Sequence, residues 1–405
     1  MKLAIVATHP IQYQVPWFQE LAKAESIQLK VYYALIPTAG QQGTGFGVSF
    51  TWDLPLLEGY EWELLTNDRA APSLGTFSGL STRGIYSVLK RDRPDAVIIT
   101  GWNSLPLIQA LWACVRLRIP RIVRGESSAI RTRTIAARIA HRALLSRFNA
   151  YLAIGKANRD FYLGNGVSPD RIFTTRYFVD NRRFESQRSA LEPERIAIRA
   201  GWNIPSGYTC FLFAGKLIPK KRILDLVKAL EIARRETPSI HLLVAGSGEQ
   251  IEEAQALTGR LRLPVTFAGF LNQTEISRAY VAADCLVLPS DYDETWGLVV
   301  NEAMASGLPA IVSDRVGCGP DLIEAGATGW VFPFGDTNAL AASLAGAASD
   351  SGRLRRMGEQ AKALISRYSV QQAVQGTIEA VESVTRRTSA AQLSNPKLEI
   401  RNSKF

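Results

Sequence analysis

The sequence contains few cysteines and few histidines, and their positions exclude two classes of site. The four cysteines are Cys114, Cys210, Cys285 and Cys318. They show no paired spacing, which excludes a disulfide framework and a zinc site and favours a reducing cytosol. The three histidines, His9, His141 and His241, are too scattered to form a metal cluster. We expect neither a metal nor a cofactor.

A long apolar run is also lacking. The stretch Leu105–Ile119 is interrupted by Gln109 and Arg116, so it falls short of the roughly 20 apolar residues that span a bilayer. The start, Lys2–Thr8, has the pattern of a buried strand rather than that of a secretion signal. These features predict a cytoplasmic protein without a membrane-spanning helix.

The chain of 405 residues is 46% hydrophobic and 21% charged, which is typical of a globular protein of two domains. Its net charge is +10, but the basic residues carry no nucleic-acid recognition motif, and we expect no nucleic-acid partner. Three interpretations of the charge stay open. They are attraction to anionic lipid at the inner face of the cytoplasmic membrane, a positive cleft for a diphosphate, and simple solubility. An arginine-rich helix predicted at 132–148 fits the first.

The segment Pro289–Ser313 carries the strongest pattern. It predicts a strand, an acidic loop, a helix from about Leu298 to Ser306, and a second strand, which is the unit of a parallel sheet. Glu294 lies in the loop, and Glu302 lies on the helix. Because a helix N-terminus attracts anions and carboxylates accept hydrogen bonds from hydroxyls, the predicted ligand is an anion flanked by hydroxyls, and a nucleotide sugar fits that description.

Residues 294–309, ETWGLVVNEAMASGLP, resemble the E-x7-E signature of the family 4 glycosyltransferases, which are retaining enzymes of the GT-B fold. Thr295 and Trp296 replace the usual glycine and phenylalanine. The resemblance implies that Glu302 binds the ribose and that Glu294 binds the transferred sugar and acts in catalysis. It also implies that backbone amides of Thr295, Trp296, Gly297, Leu298 and Val299 contact the donor.

The second half carries further parts of this resemblance. GKLIPKKR, at 215–222, follows a predicted strand and is similar to the family's G-R-L-x-x-x-K-G. Lys216 and Lys221 then correspond to the cations that hold the diphosphate and stabilise the leaving charge. The glycines that follow the predicted strands are also implied in donor binding, with Phe270 beside the nucleotide base. These glycines are Gly215, Gly246, Gly248 and Gly269.

In the first half, HPIQYQ at 9–14 and WDLPLLEGY at 52–60 resemble one branch of the same family. Polar and aromatic residues at predicted strand ends form the expected acceptor side, because ligands of parallel sheets bind at the carboxyl ends of strands. They are His9, Gln12, Tyr13, Trp102, Asn103, Arg124 and Glu126. The loop at 36–49 is a candidate acceptor lid, and Asn272 with Glu275 is predicted to cap a helix over Gln273–Ala283.

The predicted organisation is α/β, with two Rossmann-like domains that face each other across a cleft. We expect an acceptor-side domain at 1–182, a linker at 183–205 and a nucleotide-sugar-binding domain at 206–367. A helix at 368–387 is expected to cross back to the first domain, and a disordered tail is expected at 388–405.

The predicted function is retaining, metal-independent transfer of a hexose from a nucleoside diphosphate sugar to a glycan or lipid-linked acceptor. Two alternatives remain: another GT-B enzyme such as a nucleotide-sugar epimerase, and a non-catalytic protein that binds nucleotide sugars. The sequence leaves open the sugar, the base, the acceptor and the oligomeric state.

Overall fold

The computed structural model describes the backbone of residues 1–393 and the side chains of residues 1–387. Two parallel sheets organise it. The first sheet has the strand order β3-β2-β1-β4-β5-β6-β7. Its strands are β1 (Lys2–Ala7), β2 (Gln28–Tyr33), β3 (Glu61–Leu64), β4 (Ala96–Ile99), β5 (Arg121–Val123), β6 (Ala150–Ala153) and β7 (Ile172–Thr174).

The helices of this half alternate with the strands, as parallel pairing requires. They are α1 (Val15–Ala22), α2 (Ala39–Gln42), α3 (Ile85–Asp92), α4 (Leu105–Leu117), α5 (Ile135–Leu145) and α6 (Lys156–Gly164). Strands β1 and β4 are almost wholly buried, because helices cover both faces of the sheet. Chain order reverses direction between these two strands, which is where ligands bind in such sheets.

The second sheet has the order β10-β9-β8-β11-β12-β13 and is also parallel. Its strands are β8 (Thr209–Ala214), β9 (Ile240–Ala245), β10 (Val265–Gly269), β11 (Cys285–Leu288), β12 (Ala310–Ser313) and β13 (Gly329–Phe332). The direction of chain order reverses between β8 and β11. The loops after these two strands carry the predicted lysines and Glu294.

The helices of the second half complete the fold. They are α7 (Asn181–Leu191), α8 (Arg195–Gly201), α9 (Ile223–Ala233), α10 (Ile251–Arg260), α11 (Ile276–Ala282), α12 (Leu298–Ala305), α13 (Gly319–Leu322), α14 (Thr337–Ala348), α15 (Ser351–Ile365) and α16 (Val370–Leu393). None of the described helices is both long and apolar enough to cross a membrane.

The segment 183–205, predicted as a linker, consists mostly of α7 and α8 and packs onto the second half. Phe184 is fully buried, with its ring 5.9 Å from that of Tyr280. Asp284 accepts ion pairs from Arg195 at 2.6 Å and Arg199 at 3.2 Å. These contacts attach the segment firmly to one side of the cleft.

Helix α16 crosses back to the first half, as predicted. Its residues Ala373, Ala380 and Val381 are buried in the core of the first sheet, and Trp17 Nε1 donates to Thr377 Oγ1 at 3.2 Å. The helix continues to Leu393, so 388–393 are helical and not the disordered tail that we expected. The remainder of that prediction lies outside the described residues.

Candidate active site

The predicted strand–loop–helix–strand unit is present almost residue for residue. β11 ends at Leu288, α12 begins at Leu298, and β12 begins at Ala310. Gly297 caps α12 with a φ of 99°, and a Cβ atom there would lie 2.8 Å from Leu288 Cδ2. Glycine is therefore required at this turn both by its backbone angle and by the space available. The turn aims the free N–H groups of α12 at the carboxyl edge of the sheet.

Lys221 and Glu294 meet at this edge. The Lys221 ammonium donates to Glu294 Oε2, and the two side chains are only 13% and 14% exposed. A short helical turn, Pro219–Lys221, presents the lysine. The pair brings together two of the three predicted catalytic residues and neutralises both charges in a poorly hydrated place.

Lys216, the third predicted catalytic residue, points elsewhere. Its Nζ donates to the carbonyl oxygen of Thr44 at 2.7 Å and lies 5.0 Å from the centre of the Phe46 ring. Burial, followed by the charges of Lys220 and Lys221, lowers its pKa. Both Thr44 and Phe46 belong to the first half, so this lysine connects the two sides of the cleft.

Glu302 lies one turn into α12 and lines a cavity between the two halves. Its Oε2 accepts a hydrogen bond of 2.6 Å from the Tyr280 hydroxyl. Burial raises the pKa of Glu302, and the Tyr280 hydrogen bond and the Arg183 charge oppose that rise. Neither Tyr280 nor Arg183 was predicted as a site residue. A tyrosine in an apolar helix and an arginine in a charged helix are both common, so the local sequence does not mark them as functional.

The cavity beside Glu302 has a volume of about 200 Å³ and spans the two halves. Gln12, Tyr13 and Arg183 line it together with Glu302. Gln12 was predicted on the acceptor side, but here it shares a cavity with the carboxylate that we assigned to the donor. Gln12 therefore lies at a cavity that both halves line, and its assignment to the acceptor side stays a prediction.

The first half contributes a larger cavity, of about 370 Å³. Five of the predicted acceptor-side residues line it: His9, Tyr13, Trp102, Asn103 and Glu126. Thr295 of the second half also lines it, so this cavity opens onto the E-x7-E loop. Burial lowers the pKa of His9 to about 4. Arg124 is buried behind the cavity, with 1% of its surface exposed.

A segment of the first half reaches over the second. This interdomain strap, residues 38–53, begins with a capping box formed by Thr38 and Gln41. The ring of Phe50 lies 4.2 Å from that of Phe270, and Phe46 lies 5.1 Å from the same ring. We predicted this loop as an acceptor lid. In the structure it contacts Lys216 and Phe270, both predicted on the donor side, and its role as a lid stays a prediction.

The carboxylate of Asp53, at the end of the strap, accepts hydrogen bonds from the backbone N–H groups of Gln273 at 3.1 Å and Thr274 at 3.0 Å. Glu275 Oε2 accepts from Asn272 N at 3.4 Å, so the predicted pair is present. However, α11 begins only at Ile276. The two N–H groups ahead of it are satisfied by a carboxylate from the other half, which sequence spacing did not reveal.

Two groups predicted to bind the donor have structural roles in addition. A Cβ atom on Gly246 would lie 1.8 Å from the carbonyl oxygen of Gly215, so Gly246 is required where neighbouring turns pack together. The Trp296 side chain is buried, and its Nε1 donates to Asn301 Oδ1 at 2.8 Å. Asn301 in turn donates to the Tyr177 carbonyl oxygen at 2.9 Å, which fastens α12 to the first half.

Among the described residues, no group of three or more His, Cys, Asp or Glu side chains is arranged to hold a metal ion. All four cysteines are buried and free.

Residues 194–364 match the family model described as glycosyl transferases group 1. Among similar curated proteins, sulfoquinovosyl transferase SQD2 of Arabidopsis thaliana is 30% identical over 278 residues, which cover 62% of this chain and 49% of that protein. The chain thus spans about half the length of this relative. The family-model match over residues 194–364 includes the lysine turn and both carboxylates of the candidate site.

Solved structures match across nearly the whole chain. Anabaena HepE, in complex with UDP and glucose, has a TM-score of 0.70 and 19% identity, and the match covers 95% of this chain and 100% of HepE. Sucrose-phosphate synthase from Thermosynechococcus elongatus has a TM-score of 0.67 and 17% identity, with 96% and 100% covered. These likenesses, with the two parallel sheets, establish the GT-B fold.

Proposed function

We propose that this protein is a retaining glycosyltransferase that moves a hexose from a nucleoside diphosphate sugar to an acceptor hydroxyl. The observation that carries the proposal is that Lys221 pairs with Glu294 in the loop before α12, while Glu302 lies one turn into the same helix, at the carboxyl edge of the second sheet. The group 1 match over residues 194–364 supports it. The structure of HepE with UDP and glucose is a further support for this ligand class.

The diphosphate belongs at the N-terminus of α12, where free N–H groups and two lysines supply positive charge. We assign Lys221 to its oxygens, and Lys216 as well once it exchanges the Thr44 carbonyl oxygen for the ligand. Glu302 is assigned to the ribose hydroxyls and Glu294 to the transferred sugar. In the free protein Glu294 holds Lys221. A bound diphosphate competes for that lysine and releases the carboxylate to the sugar. Because the protein itself supplies these charges, we propose transfer without a metal ion.

We further propose an acceptor in polysaccharide or glycolipid assembly, reached at the inner face of the cytoplasmic membrane. Helix α5 supports this placement. Ile135 and Ile139 lie one turn apart and are 76% and 64% exposed, and the exposed Arg138 and Arg142 flank them. Apolar side chains beside arginines suit an anionic lipid surface.

The proposal is tested by thermal unfolding with UDP, GDP and ADP, and with their glucose, galactose, N-acetylglucosamine or mannose conjugates, in chelator. One base should stabilise the protein, by about 2.7 kcal/mol at 100 times its dissociation constant. Lys221→Ala and Glu302→Ala should lose that shift, whereas Glu25→Gln, an exposed control, should keep it.

Several outcomes contradict the proposal. If no nucleotide stabilises the protein, the transferase assignment fails. Interconversion of a nucleotide sugar without an acceptor identifies an epimerase instead. Binding without turnover on any alcohol identifies a nucleotide-sugar-binding protein. A requirement for Mg²⁺ or Mn²⁺ refutes metal independence alone, and inversion at the anomeric carbon refutes retention alone.

A further inference from the structure

Arg124 and Glu126 form a charge pair at the back of the cavity of about 370 Å³. Arg124 is 1% exposed, and its three guanidinium nitrogens have no hydrogen-bond partner among the described residues. Its guanidinium carbon lies 4.6 Å from the ring centre of Tyr177, 5.3 Å from that of Trp17 and 5.7 Å from that of Phe178. Glu126 Oε1, 3.9 Å from Arg124 Nη1, supplies the opposite charge. Because a buried cation without a counter-charge is costly, Glu126 has to stay ionised.

The second oxygen of Glu126 is left for a ligand. Oε1 accepts a hydrogen bond from the Tyr177 hydroxyl and faces Arg124. In the part of the chain that the structure describes, no hydrogen bond to Oε2 is recorded, and the side chain is 34% exposed. An ionised carboxylate oxygen accepts hydrogen bonds and donates none. It therefore favours a ligand that carries hydroxyl groups.

The cavity wall offers further polar groups for such a ligand. Gln14 lines the cavity and is 4% exposed, and its amide oxygen has no hydrogen-bond partner among the residues described. Since the two orientations of an amide exchange its oxygen and its nitrogen, this group can accept a hydrogen bond from a hydroxyl or donate one to it. The amide of Asn103 and the imidazole of His9 belong to the same wall. Several polar groups around one cavity suit a ligand with more than one hydroxyl.

The charge of the wall selects against an anionic ligand. Burial lowers the pKa of His9 to about 4, so this imidazole is neutral at pH 7. Of the described residues that line the cavity, none is a lysine or an arginine, and Glu126 alone carries a charge. A phosphate here would meet a carboxylate without a cation in contact with it. The partly exposed indole of Trp102 adds an apolar surface, on which the C–H groups of a sugar ring can pack.

The cavity adjoins the loop that we assign to the transferred sugar. Thr295, next to Glu294, lines it. Tyr177, which donates to Glu126, has its ring 5.7 Å from that of Trp296, and its carbonyl oxygen accepts from Asn301 on α12. Glu126 is therefore held in a fixed relation to the donor side.

From this geometry we propose that the cavity binds a neutral sugar ring of the acceptor, and that the ionised carboxylate of Glu126 selects this ring by accepting hydrogen bonds from its hydroxyls. The inference rests on the proposed glycosyl transfer. It narrows the acceptor to a sugar ring, of a glycan or of a glycolipid, and excludes a lipid alcohol without a ring and a lipid phosphate. Glu126 takes no proton in this role, because its charge balances that of Arg124. The role is therefore compatible with retention at the anomeric carbon.

The test uses the full chain and the nucleotide sugar that stabilises it best in the panel above. The acceptors are methyl and octyl β-glycosides of glucose, galactose, N-acetylglucosamine and mannose, and methanol and 1-octanol are the matched alcohols without a ring. We expect at least one glycoside to exceed its alcohol in kcat/KM by about 10-fold or more. A higher value for the octyl form than for the methyl form supports a glycolipid ring, and equal values support a glycan.

Glu126→Asp tests the carboxylate while it keeps a negative charge on the side of Arg124. The shorter side chain withdraws its oxygen from the acceptor. We therefore expect the KM of the best glycoside to rise by about 10-fold or more, whereas hydrolysis of the nucleotide sugar by water and the dissociation constant of the nucleoside diphosphate change less than about twofold. Gln14→Leu removes a second polar group and should raise the same KM by about threefold. Glu25→Asp, at an exposed carboxylate outside the cavity lining, is the matched control.

The other outcomes overturn the inference and leave the proposed transfer in place. If no glycoside exceeds its alcohol, or if Glu126→Asp and Gln14→Leu both leave KM within about twofold, the cavity does not select a sugar ring. If hydrolysis of the nucleotide sugar falls in step with transfer, the cavity holds the transferred sugar instead. If both variants lower the melting temperature and nucleotide affinity, the two side chains are structural. Only if the unaltered protein binds no nucleotide does the proposed function fail, and this inference with it.

Discussion

Tyr280, on helix α11, donates its hydroxyl hydrogen to Glu302 on α12 at 2.6 Å. Burial raises the pKa of the Glu302 carboxyl group above its usual value. In the folded protein the neutral form is favoured relative to the unfolded chain. The resulting contribution to stability is complete in acid and is lost as the pH rises through the raised pKa. The ionised carboxylate is therefore costly to the free protein at neutral pH.

We predict that Glu302→Gln raises the free energy of unfolding at pH 7 but weakens nucleotide binding. The amide keeps an oxygen for Tyr280 and removes the buried charge. Loss of a charged hydrogen bond to the ribose should cost about 2 kcal/mol in affinity. Urea unfolding and calorimetric titration measure the two effects. A variant that is less stable and binds normally contradicts the prediction.

Whereas Glu302→Gln is expected to stabilise the protein, removing the charge of Glu294 beside Lys221 is expected to destabilise it. Glu294→Gln leaves the Lys221 ammonium unpaired where its side chain is only 13% exposed. We expect a loss of about 3 kcal/mol in the free energy of unfolding. Lys221→Met in the same chain should restore most of it, and a double-mutant cycle gives the coupling. Additive losses would show that the pair contributes no stability.

The strap predicts a stability effect at Asp53. Asp53→Ala removes the acceptor of the Gln273 and Thr274 N–H groups, and we expect a loss of about 1 kcal/mol. Chymotrypsin should then cleave faster after Phe46 and Phe50. Asp53→Asn is the control, because asparagine keeps one acceptor oxygen. Equal cleavage rates in all three proteins would show that this cap does not hold the strap.

Gly155 of the first half lies against Trp296 and Asp321 of the second, and this contact, the seam between the halves, leaves no room for a side chain. A Cβ atom there would lie 2.3 Å from Trp296 Cζ3 and 2.9 Å from Asp321 Oδ2. We expect Gly155→Ala to lower the free energy of unfolding by about 1 to 3 kcal/mol, the usual cost of overpacking. Trp296→Phe in the same chain removes the atoms that clash and should recover part of the loss. An unchanged melting temperature in Gly155→Ala would contradict the close contact.

His241 predicts a loss of stability in acid. Burial, followed by the Arg199 charge, lowers its pKa from 6.5 to about 4. A lowered pKa contributes stability above the unfolded value of 6.5 that is lost as the pH falls towards 4. The contribution is about 3 kcal/mol. Urea unfolding at pH 7.5 and at pH 4.5 measures it, and His241→Asn should reduce the difference. A difference unaffected by the substitution would assign the pH dependence to other groups.

Much of the fold was predictable because it depends on local pattern. β11, α12 and β12 were predicted within about a residue, since continuous apolar runs of a buried parallel sheet end at clear turn signals. Strand β3 and helix α3 were missed. β3 is an edge strand of four residues, EWEL, with Trp62 and Leu64 exposed, so it lacks the continuous apolar run that marks a buried strand of a parallel sheet.

The candidate site likewise contains residues that local pattern predicted and residues that it did not. Glu294, Glu302 and Lys221 were found because they follow strand ends in recognisable segments. Tyr280, Arg183 and Asp53 were not, because each acts on a residue distant in the chain, as Asp53 does on Thr274. The strap was assigned to the acceptor because sequence gives a loop's position after a strand but not the surface that it reaches.

The sequence by itself determined the two parallel sheets, the strand ends that carry the candidate site and the helix that crosses back, because apolar periodicity and turn residues are local properties. Only the tertiary structure decided the partners of those residues. It placed Lys216 under the strap, Trp296 in the seam, and Glu126 in front of a buried arginine. These placements depend on how the two halves pack against each other, and packing between distant segments leaves no periodic trace in the chain.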